Sequence, residues 1–356
     1  MTTRRHFIAS LIAAGAAPRL GWAAVGSPSF LAAARDPDGT FALYGLDDAG
    51  RASFRIPLPG RGHAGAGHPH LAEAVAFARR PGLFALVLDC TSGGVLHRLT
   101  PPKGIHLNGH GVFSSNGRIL FTSEQVAQTS EGRIGMWDAS RGYARLGEVA
   151  TGGIGPHDLR LMPDGETLIV ANGGIATDPR DRRKLNVETM QPNLTYMSLA
   201  GEVLETIILD RDLHRNSIRH LAVRSDGLVG FAMQWQGEAG AAPPLLGLHR
   251  TGMAPVLAEA PLADEIAMQG YAGSIAFSGD GTEIAITSPR GGRLHRFDTG
   301  GRFLGFVSRT DICGLATRDD GYLASDGLGG LLTVQGSVVG PVNRMECAWD
   351  NHIVTL

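Results

Sequence analysis

The chain has 356 residues, a formal net charge of −2, 50 glycines and only three cysteines. It carries no basic patch or polycationic tail, which argues against nucleic acid and anionic membrane as partners. Three cysteines are too few for a disulfide framework, although one pair could bridge. The sequence contains no C-x-x-C-H motif, which excludes a covalently attached c-type haem.

The first residues have the form of a twin-arginine signal peptide. Arg4 and Arg5 precede an apolar run over residues 7–17, and no acidic residue occurs before position 23. Gly21 and Ala23 supply the small residues required at −3 and −1 of a cleavage site. We therefore expect a signal over 1–23 and one domain over 24–356 in the periplasm. The apolar run is too short for a stable membrane anchor, and the mature part has a net charge near −5.

An internal repeat defines the fold class. Each unit is a strand, an Asx-Gly turn and a second strand, and the turn glycines recur at intervals of 40 to 62 residues, the length of one four-stranded propeller blade. The turn glycines are Gly117, Gly165, Gly227, Gly281 and Gly321. A degenerate unit begins at residue 63, and residues 344–354 need residues 29–58 to complete a blade. The sequence predicts an all-β, seven-bladed β-propeller of the WD40/YVTN type whose last blade combines N- and C-terminal strands; six or eight blades remain open.

The start of the first strand in each unit lines the channel of a propeller, and histidine is concentrated at that position. Imidazole and thiolate are ligands for iron, copper and zinc, so these positions predict a metal site at a wet channel mouth. The candidate ligands are His63, His110, His157, His220 and Cys313. The seventh unit offers Glu346 or Cys347 near the same place. The alternative interpretation is structural, with each histidine donating to a carbonyl of the next blade.

Loops joining the second and third strands open on the same face as these histidines. Their arginines and amides would orient a ligand, and their glycines would let the backbone approach it. The predicted ligand-binding residues are Arg79, Arg80, Asn172, Arg219, Gln236, Tyr271 and Arg290. The one long loop, residues 173–193, is either functional or a solvated charged excursion.

Nine short stretches together resemble the bacterial DUF1513 family over nearly all of the mature chain. They are RGH at 61–63, FARRPG at 77–82, HGVFS at 110–114, GPH at 155–157, VANGG at 170–174, SIRH at 217–220, TSPRGG at 287–292, DICG at 311–314 and WDNH at 349–352. The resemblance implies a periplasmic propeller commonly encoded beside imelysin-type proteins and a di-haem oxidase-like protein, a setting linked to iron acquisition. It implies no established reaction.

Three classes of function fit these features. The first is a monomeric periplasmic metal-handling protein that binds iron or copper, free or complexed, with an affinity that falls below about pH 6.5, the pKa of free imidazole. The second is a propeller oxidoreductase of the quinoprotein or copper type, and the third is a protein-docking scaffold without metal. A hydrolase is disfavoured because the chain has no G-x-S-x-G or H-E-x-x-H motif.

Export tests the signal assignment. Changing Arg4→Lys and Arg5→Lys together should leave the precursor in the cytoplasm, because the twin-arginine receptor recognises the guanidinium pair. Cell fractionation and blotting would measure this, and normal periplasmic yield of the double variant would contradict the assignment.

Overall fold

A computed structural model describes residues 21–80 and 82–356. The predicted twin-arginine pair lies outside the described residues. No helix among them is long and apolar enough to cross a lipid bilayer.

Strands account for nearly all of the regular structure, and they form seven four-stranded antiparallel sheets. The chain begins with β1 (Phe30–Arg35), β2 (Phe41–Leu46) and β3 (Ala52–Leu58). Blade 1 contains β4 (Gly62–Gly67), β5 (Glu73–Ala78), β6 (Ala85–Asp89) and β7 (Gly94–Leu99). Blade 2 contains β8 (Ile105–Phe113), β9 (Ile119–Val126), β10 (Glu131–Asp138) and β11 (Ala144–Ile154). Blade 3 contains β12 (Pro156–Leu161), β13 (Thr167–Asn172), β14 (Asn193–Ser198) and β15 (Val203–Ile208).

The remaining blades follow the same order. Blade 4 contains β16 (Asn216–Val223), β17 (Val229–Trp235), β18 (Leu246–His249) and β19 (Val256–Ala258). Blade 5 contains β20 (Ser274–Phe277), β21 (Glu283–Ser288), β22 (Arg293–Asp298) and β23 (Phe303–Ser308). Blade 6 contains β24 (Ile312–Arg318), β25 (Gly321–Asp326), β26 (Gly330–Gln335) and β27 (Val338–Arg344), and β28 (Ala348–Thr355) joins β1–β3 as blade 7. The prediction of a seven-bladed β-propeller is confirmed.

Helical turns are short and lie outside the sheets. The 3₁₀ turns are Trp22–Val25, Ala139–Arg141, Val187–Thr189 and Arg211–Leu213, and one α-helical segment covers Leu262–Ala267.

The predicted Asx-Gly turns set the register of the hairpins. In the turn between β12 and β13, the Asp164 carboxylate accepts hydrogen bonds from the backbone N–H groups of Glu166 and Thr167. Gly165 closes that turn at φ +72°, a conformation that favours glycine. The inner strands of blades 2–6 therefore end at a defined point, which fixes the position of the residues before it.

The two ends of the chain close the ring. β28 pairs antiparallel with β1, with Thr355 opposite Phe30 and Ala348 opposite Arg35. Each inner strand contacts the inner strands of both neighbouring blades, including β28 with β4 and with β24. The prediction that residues from both termini share the last blade is confirmed, and this pairing leaves the blade without an open inner edge.

Apolar side chains fill the spaces between the blades. The described residues form seven buried clusters, one between each pair of neighbouring sheets. The cluster between blades 6 and 7 contains Ile353 and Trp349 from β28 together with Leu323 from β25. Burial of this apolar surface is the main stabilising contribution to the ring.

Removal of the closing strand tests this arrangement. Deleting residues 345–356 should destabilise the whole protein rather than one blade, because it exposes β1 and opens two inter-blade clusters. A milder variant is Ile353→Ala, which should lower the free energy of unfolding by about 2–4 kcal/mol. The control is Val338→Ala on the exposed outer strand β27, which should change it by no more than about 0.5 kcal/mol. Denaturant unfolding would measure both, and a truncated protein that unfolds like the intact one would contradict a shared blade.

Candidate metal centre

Five histidines from the inner strands of five blades meet in the channel. Each ring centroid lies 4.6 to 5.0 Å from two others in a closed circuit of five. The members, called the histidine cluster below, are His63, His110, His157, His220 and His352. All five are buried, with the most exposed, His63, at 9%. The structure therefore brings together the four predicted histidines and adds a fifth.

Backbone irregularities direct these side chains into the channel. In each of the five blades, the register between the innermost strand and its partner shifts at or beside the histidine. A β-bulge re-aims side chains in this way, because the extra residue is not paired across the ladder. Blade 5 has no such shift between β20 and β21 and contributes no histidine to the cluster.

Two members of the cluster lie beside buried carboxylates. His110 Nδ1 lies 3.2 Å from Asp158 Oδ1, and His63 Nδ1 lies 3.6 Å from Asp350 Oδ1. Asp158 also accepts a hydrogen bond from the backbone N–H of Leu221 in the next blade. A carboxylate on one ring nitrogen fixes the orientation of an imidazole and leaves Nε2 free, as in many metal sites.

Five ring nitrogens of the cluster are buried without a hydrogen-bond partner. They are Nδ1 of His63, Nε2 of His110, Nδ1 of His157, Nδ1 of His220 and Nε2 of His352. A buried polar atom without a partner is costly, and five of them in one group of side chains indicate a ligand or ion. Ligand atoms of two triads lie within 4.8 Å of one another. The triads are His63 with His110 and His352, and His110 with His157 and His220.

Burial favours the neutral form of four members of the cluster. Burial, followed by the charge of neighbouring rings, lowers the pKa of His63 to about 4 and those of His157, His220 and His352 well below the usual value. Burial alone would raise the pKa of Asp350, but its contacts with His63 and Arg61 lower that pKa to about 2. Neutral imidazoles beside ionised carboxylates are the protonation states in which these residues bind a metal cation.

Cys313 is not a member of the cluster, which corrects the expectation that it would share the site. Its Sγ lies 3.5 Å from Asp350 O and 3.7 Å from Trp349 O, inside the apolar cluster between blades 6 and 7. Burial raises the pKa of this thiol to about 12, so it stays protonated. It belongs to neither group of converging ligand atoms, and all three cysteines are free.

The seventh blade contributes His352 rather than Glu346 or Cys347. Glu346 and Cys347 precede β28 and line a different depression, with Arg35 and Arg344. The position of His352 could not be counted from a turn glycine, because the strand that pairs with β28 is β1, at the other end of the chain. The sequence signal that could have identified His352 is the triplet Asp350-Asn351-His352, which lies at the bulge of β28.

A cavity of about 280 Å³ lies above the histidine cluster. Three buried histidines, His63, His157 and His220, line its floor, so the cluster lies below the channel mouth and not on a wet rim. The walls carry cations from blades 1, 4 and 5 and from the long loop after β13. These are Arg79, Arg80, Arg182, Lys184, Arg219 and Arg290, joined by Gln236 and Tyr271. The loop between β13 and β14 thus contributes to the site through Arg182 and Lys184.

Six of the seven predicted ligand-binding residues line this cavity, and Asn172 does not. The Asn172 side chain is fully buried in its blade, where it donates to Asn193 Oδ1 at 2.8 Å and accepts from Thr151 Oγ1 at 2.7 Å. Its role is to join β13 to β14 and to the neighbouring blade. This corrects the expectation that it contacts a ligand.

Comparison with known proteins identifies a family and a fold. A family model described as "Protein of unknown function (DUF1513)" matches residues 56–356. Among solved structures, Kuenenia stuttgartiensis hydrazine synthase is similar, with 16% sequence identity, a TM-score of 0.59, and coverage of 89% of this chain and 96% of that one. At this identity the similarity shows a common fold alone. No curated protein in the comparison matches the chain.

The lowered pKa values predict how the stability of the metal-free protein depends on pH. An unfolded histidine takes up a proton near 6.5, whereas folded His63 does so near 4, so between these values protons favour the unfolded state. The stabilisation is complete above pH 6.5 and is lost as the pH falls, by about 3 kcal/mol for His63 alone at pH 4.

Urea unfolding of the metal-free protein between pH 7 and 4 would measure this. His157→Gln should flatten the pH dependence, whereas His97→Gln, outside the cluster, should leave it unchanged. Equal slopes for wild type and His157→Gln would show that the cluster does not titrate as a buried, neutral group.

Proposed function

The chain belongs to the DUF1513 family, whose function is unknown, and from the geometry of its histidine cluster we propose that it is a periplasmic protein that binds a first-row transition metal ion, iron or copper. The observation that supports this is a group of five buried imidazoles with unpartnered ring nitrogens, two of which lie beside carboxylates. A purely structural role would leave those nitrogens bonded to carbonyls of the next blade.

The two triads define which residues would hold the ion. His110 belongs to both, so one ion bound by His110 with either His63 and His352 or His157 and His220 satisfies three imidazoles. Metal–nitrogen bonds of about 2.0–2.1 Å require the rings to move slightly inward. Three neutral nitrogens with a remaining open position would let the ion bind an exogenous ligand or exchange an electron.

The donor set bears on which metal is bound. Imidazole suits both iron and copper, and the affinity of a given nitrogen site for divalent ions rises from iron to copper. No carboxylate belongs to either triad, since Asp158 and Asp350 contact the outer nitrogens of their histidines. The protein's own ligands therefore favour copper, and iron binding is favoured when the ion arrives with oxygen ligands of its own.

Two features of the sequence support a proposal for the cellular location and the partners of the protein. The twin-arginine motif supports export in the folded state, which suits a protein that acquires its metal before or during folding. The family resemblance supports a role in iron acquisition together with imelysin-type and di-haem oxidase-like proteins of the periplasm. We propose these as its location and partners.

A propeller oxidoreductase is the second candidate, and the open cavity above the cluster favours it. His63, His157 and His220 are reached from this cavity, so a substrate could approach an ion bound at the floor. Turnover of a redox dye by the metal-loaded protein, absent from the metal-free protein, would assign the oxidoreductase function. Absence of turnover by the metal-loaded protein would favour metal handling over the oxidoreductase function.

Metal content is the direct test of the proposed function. Protein isolated from the periplasm should contain stoichiometric copper or iron by elemental analysis, and His110→Gln with His157→Gln should reduce it to background because each triad loses at least one ligand. Asp350→Asn should weaken binding by about 10–100-fold, the usual effect of removing a carboxylate behind a ligand histidine.

The controls are His97→Gln and Asp212→Asn, which remove a histidine and a carboxylate outside the site. Both should bind metal as the wild type does. A wild-type protein that stays at background after incubation with Cu²⁺ and with Fe²⁺ would return the histidines to a structural role.

A further inference from the structure

The cavity above the histidine cluster has an unusual charge distribution. Six cationic side chains line it, and none of the six lies within 4.0 Å of a carboxylate in the described part of the protein. Elsewhere the arginines are mostly paired, for example Arg145 with Glu124 and Arg296 with Glu283. A concentration of unpaired cations in a concave site is costly for a folded protein unless an anion binds there.

The most buried of these cations is directed at the cavity. Arg219 is 7% exposed, lines the cavity and leaves its Nε without any hydrogen-bond partner. The side chains of Arg79, Arg80 and Arg182 likewise donate no hydrogen bond within the described residues. Guanidinium groups held without partners can each donate two parallel hydrogen bonds to a carboxylate or phosphate.

The cations that line the cavity together also influence one another's pKa values. Burial and the charges of Arg219 and Arg182 lower the pKa of Arg80 to about 9, and burial together with Arg182 lowers that of Arg219 to about 10. Burial and the charges of Arg219 and Arg290 lower the pKa of Lys184. The two arginines remain cationic at neutral pH, and their mutual repulsion would be relieved by a single ligand that reaches several of them.

The remaining wall residues contact the cations or one another and do not neutralise the cationic charge. Gln236 accepts a hydrogen bond from Lys184, Arg290 stacks on the ring of Tyr271 with its guanidinium 4.4 Å from the centroid, and Asn351 donates to the Tyr271 hydroxyl. These contacts hold two cations in place while their charge stays uncompensated. The wall is thus preorganised for negative charge.

We propose that this cavity binds a small anion with at least two carboxylate or phosphate groups, directly above the histidine cluster. The volume of about 280 Å³ is at the lower limit of ligand pockets, about 300–1,000 Å³, which restricts the ligand to a small molecule. Cations contributed by blades 1, 4 and 5 and by the long loop favour a ligand with more than one anionic group. The inference stands on the cationic walls and does not depend on the proposed metal, although such an anion could supply oxygen ligands to it.

Calorimetric titration of the metal-free protein tests the proposal. The metal should be removed with neutral 1,10-phenanthroline, because EDTA is itself a polycarboxylate and would occupy the cavity. Citrate and pyrophosphate represent the two chemical classes, and acetate is the monovalent control. Citrate or pyrophosphate should bind at least tenfold more tightly than acetate, the tighter of the two identifies the class, and affinity should fall with added NaCl.

Matched variants localise the binding. Arg219→Gln should raise the dissociation constant at least tenfold, and Arg182→Gln on the exposed loop should raise it without risk to folding. Arg211→Gln removes the same charge from an exposed position outside the cavity and should change it less than twofold. No binding of either polyanion, or equal effects of all three substitutions, would overturn the anion site.

The outcome is separable from that of the metal test. Polyanion binding by a protein that never holds metal would sustain this inference and overturn the proposed metal function. Metal binding without polyanion binding would sustain the proposed metal function and overturn the anion site.

Discussion

Antiparallel pairing of β28 with β1 is the constraint on which both the ring and its centre depend. The same strand carries Asp350, the carboxylate beside His63, and His352, whose ring lies 4.6 Å from that of His63. Residues 63 and 352 are far apart in the chain, so the cluster is complete only once the C-terminal strand has paired with β1. Closing such a long loop is entropically costly, and the apolar clusters on both sides of β28 offset that cost. Folding and assembly of the site are therefore one event.

Buried histidines outside the cluster have ordinary structural roles. His249 bonds to the Tyr196 hydroxyl at 2.7 Å and to the Met253 carbonyl at 2.9 Å, which uses both of its ring nitrogens. His295 is buried without partners, but it stands alone among phenylalanine rings, where its apolar surface contributes to packing. The histidine cluster differs from both cases, because five imidazoles that each have an unpartnered nitrogen lie together, with neighbouring ring centroids 4.6 to 5.0 Å apart. Each such nitrogen costs about 1–3 kcal/mol, a cost that a bound cation would remove.

Equivalence between repeats made the fold and most of the cluster predictable, and failed where a residue's environment departs from the repeat. His110, His157 and His220 precede a turn glycine and share one position in successive blades, and His63 holds that position in the degenerate first unit. His352 has no such glycine because its hairpin partner is at the N-terminus. Cys313 occupies the equivalent position in blade 6, but its bulge directs the thiol into the apolar core. Asn172 had the right place in the sequence, yet a side-chain network within the blade uses its amide. Arg182 and Lys184 reach the cavity through a long loop whose path no local pattern specifies.

Charge is layered along the channel, and this layering links the two proposals. Cations line the cavity, neutral imidazoles form its floor, and the carboxylates of Asp158 and Asp350 lie behind the imidazoles. A metal cation at the floor is attracted by the carboxylates and repelled by the arginines, and two unit charges 4 Å apart interact by about 4 kcal/mol at an effective dielectric constant of 20. An anion between the arginines and the metal converts that repulsion into two attractions. Because coupling between binding sites is reciprocal, whatever factor the anion adds to the affinity for metal, the metal adds to the affinity for the anion. If both proposals hold, the site would be selective for the ion pair over either ion alone.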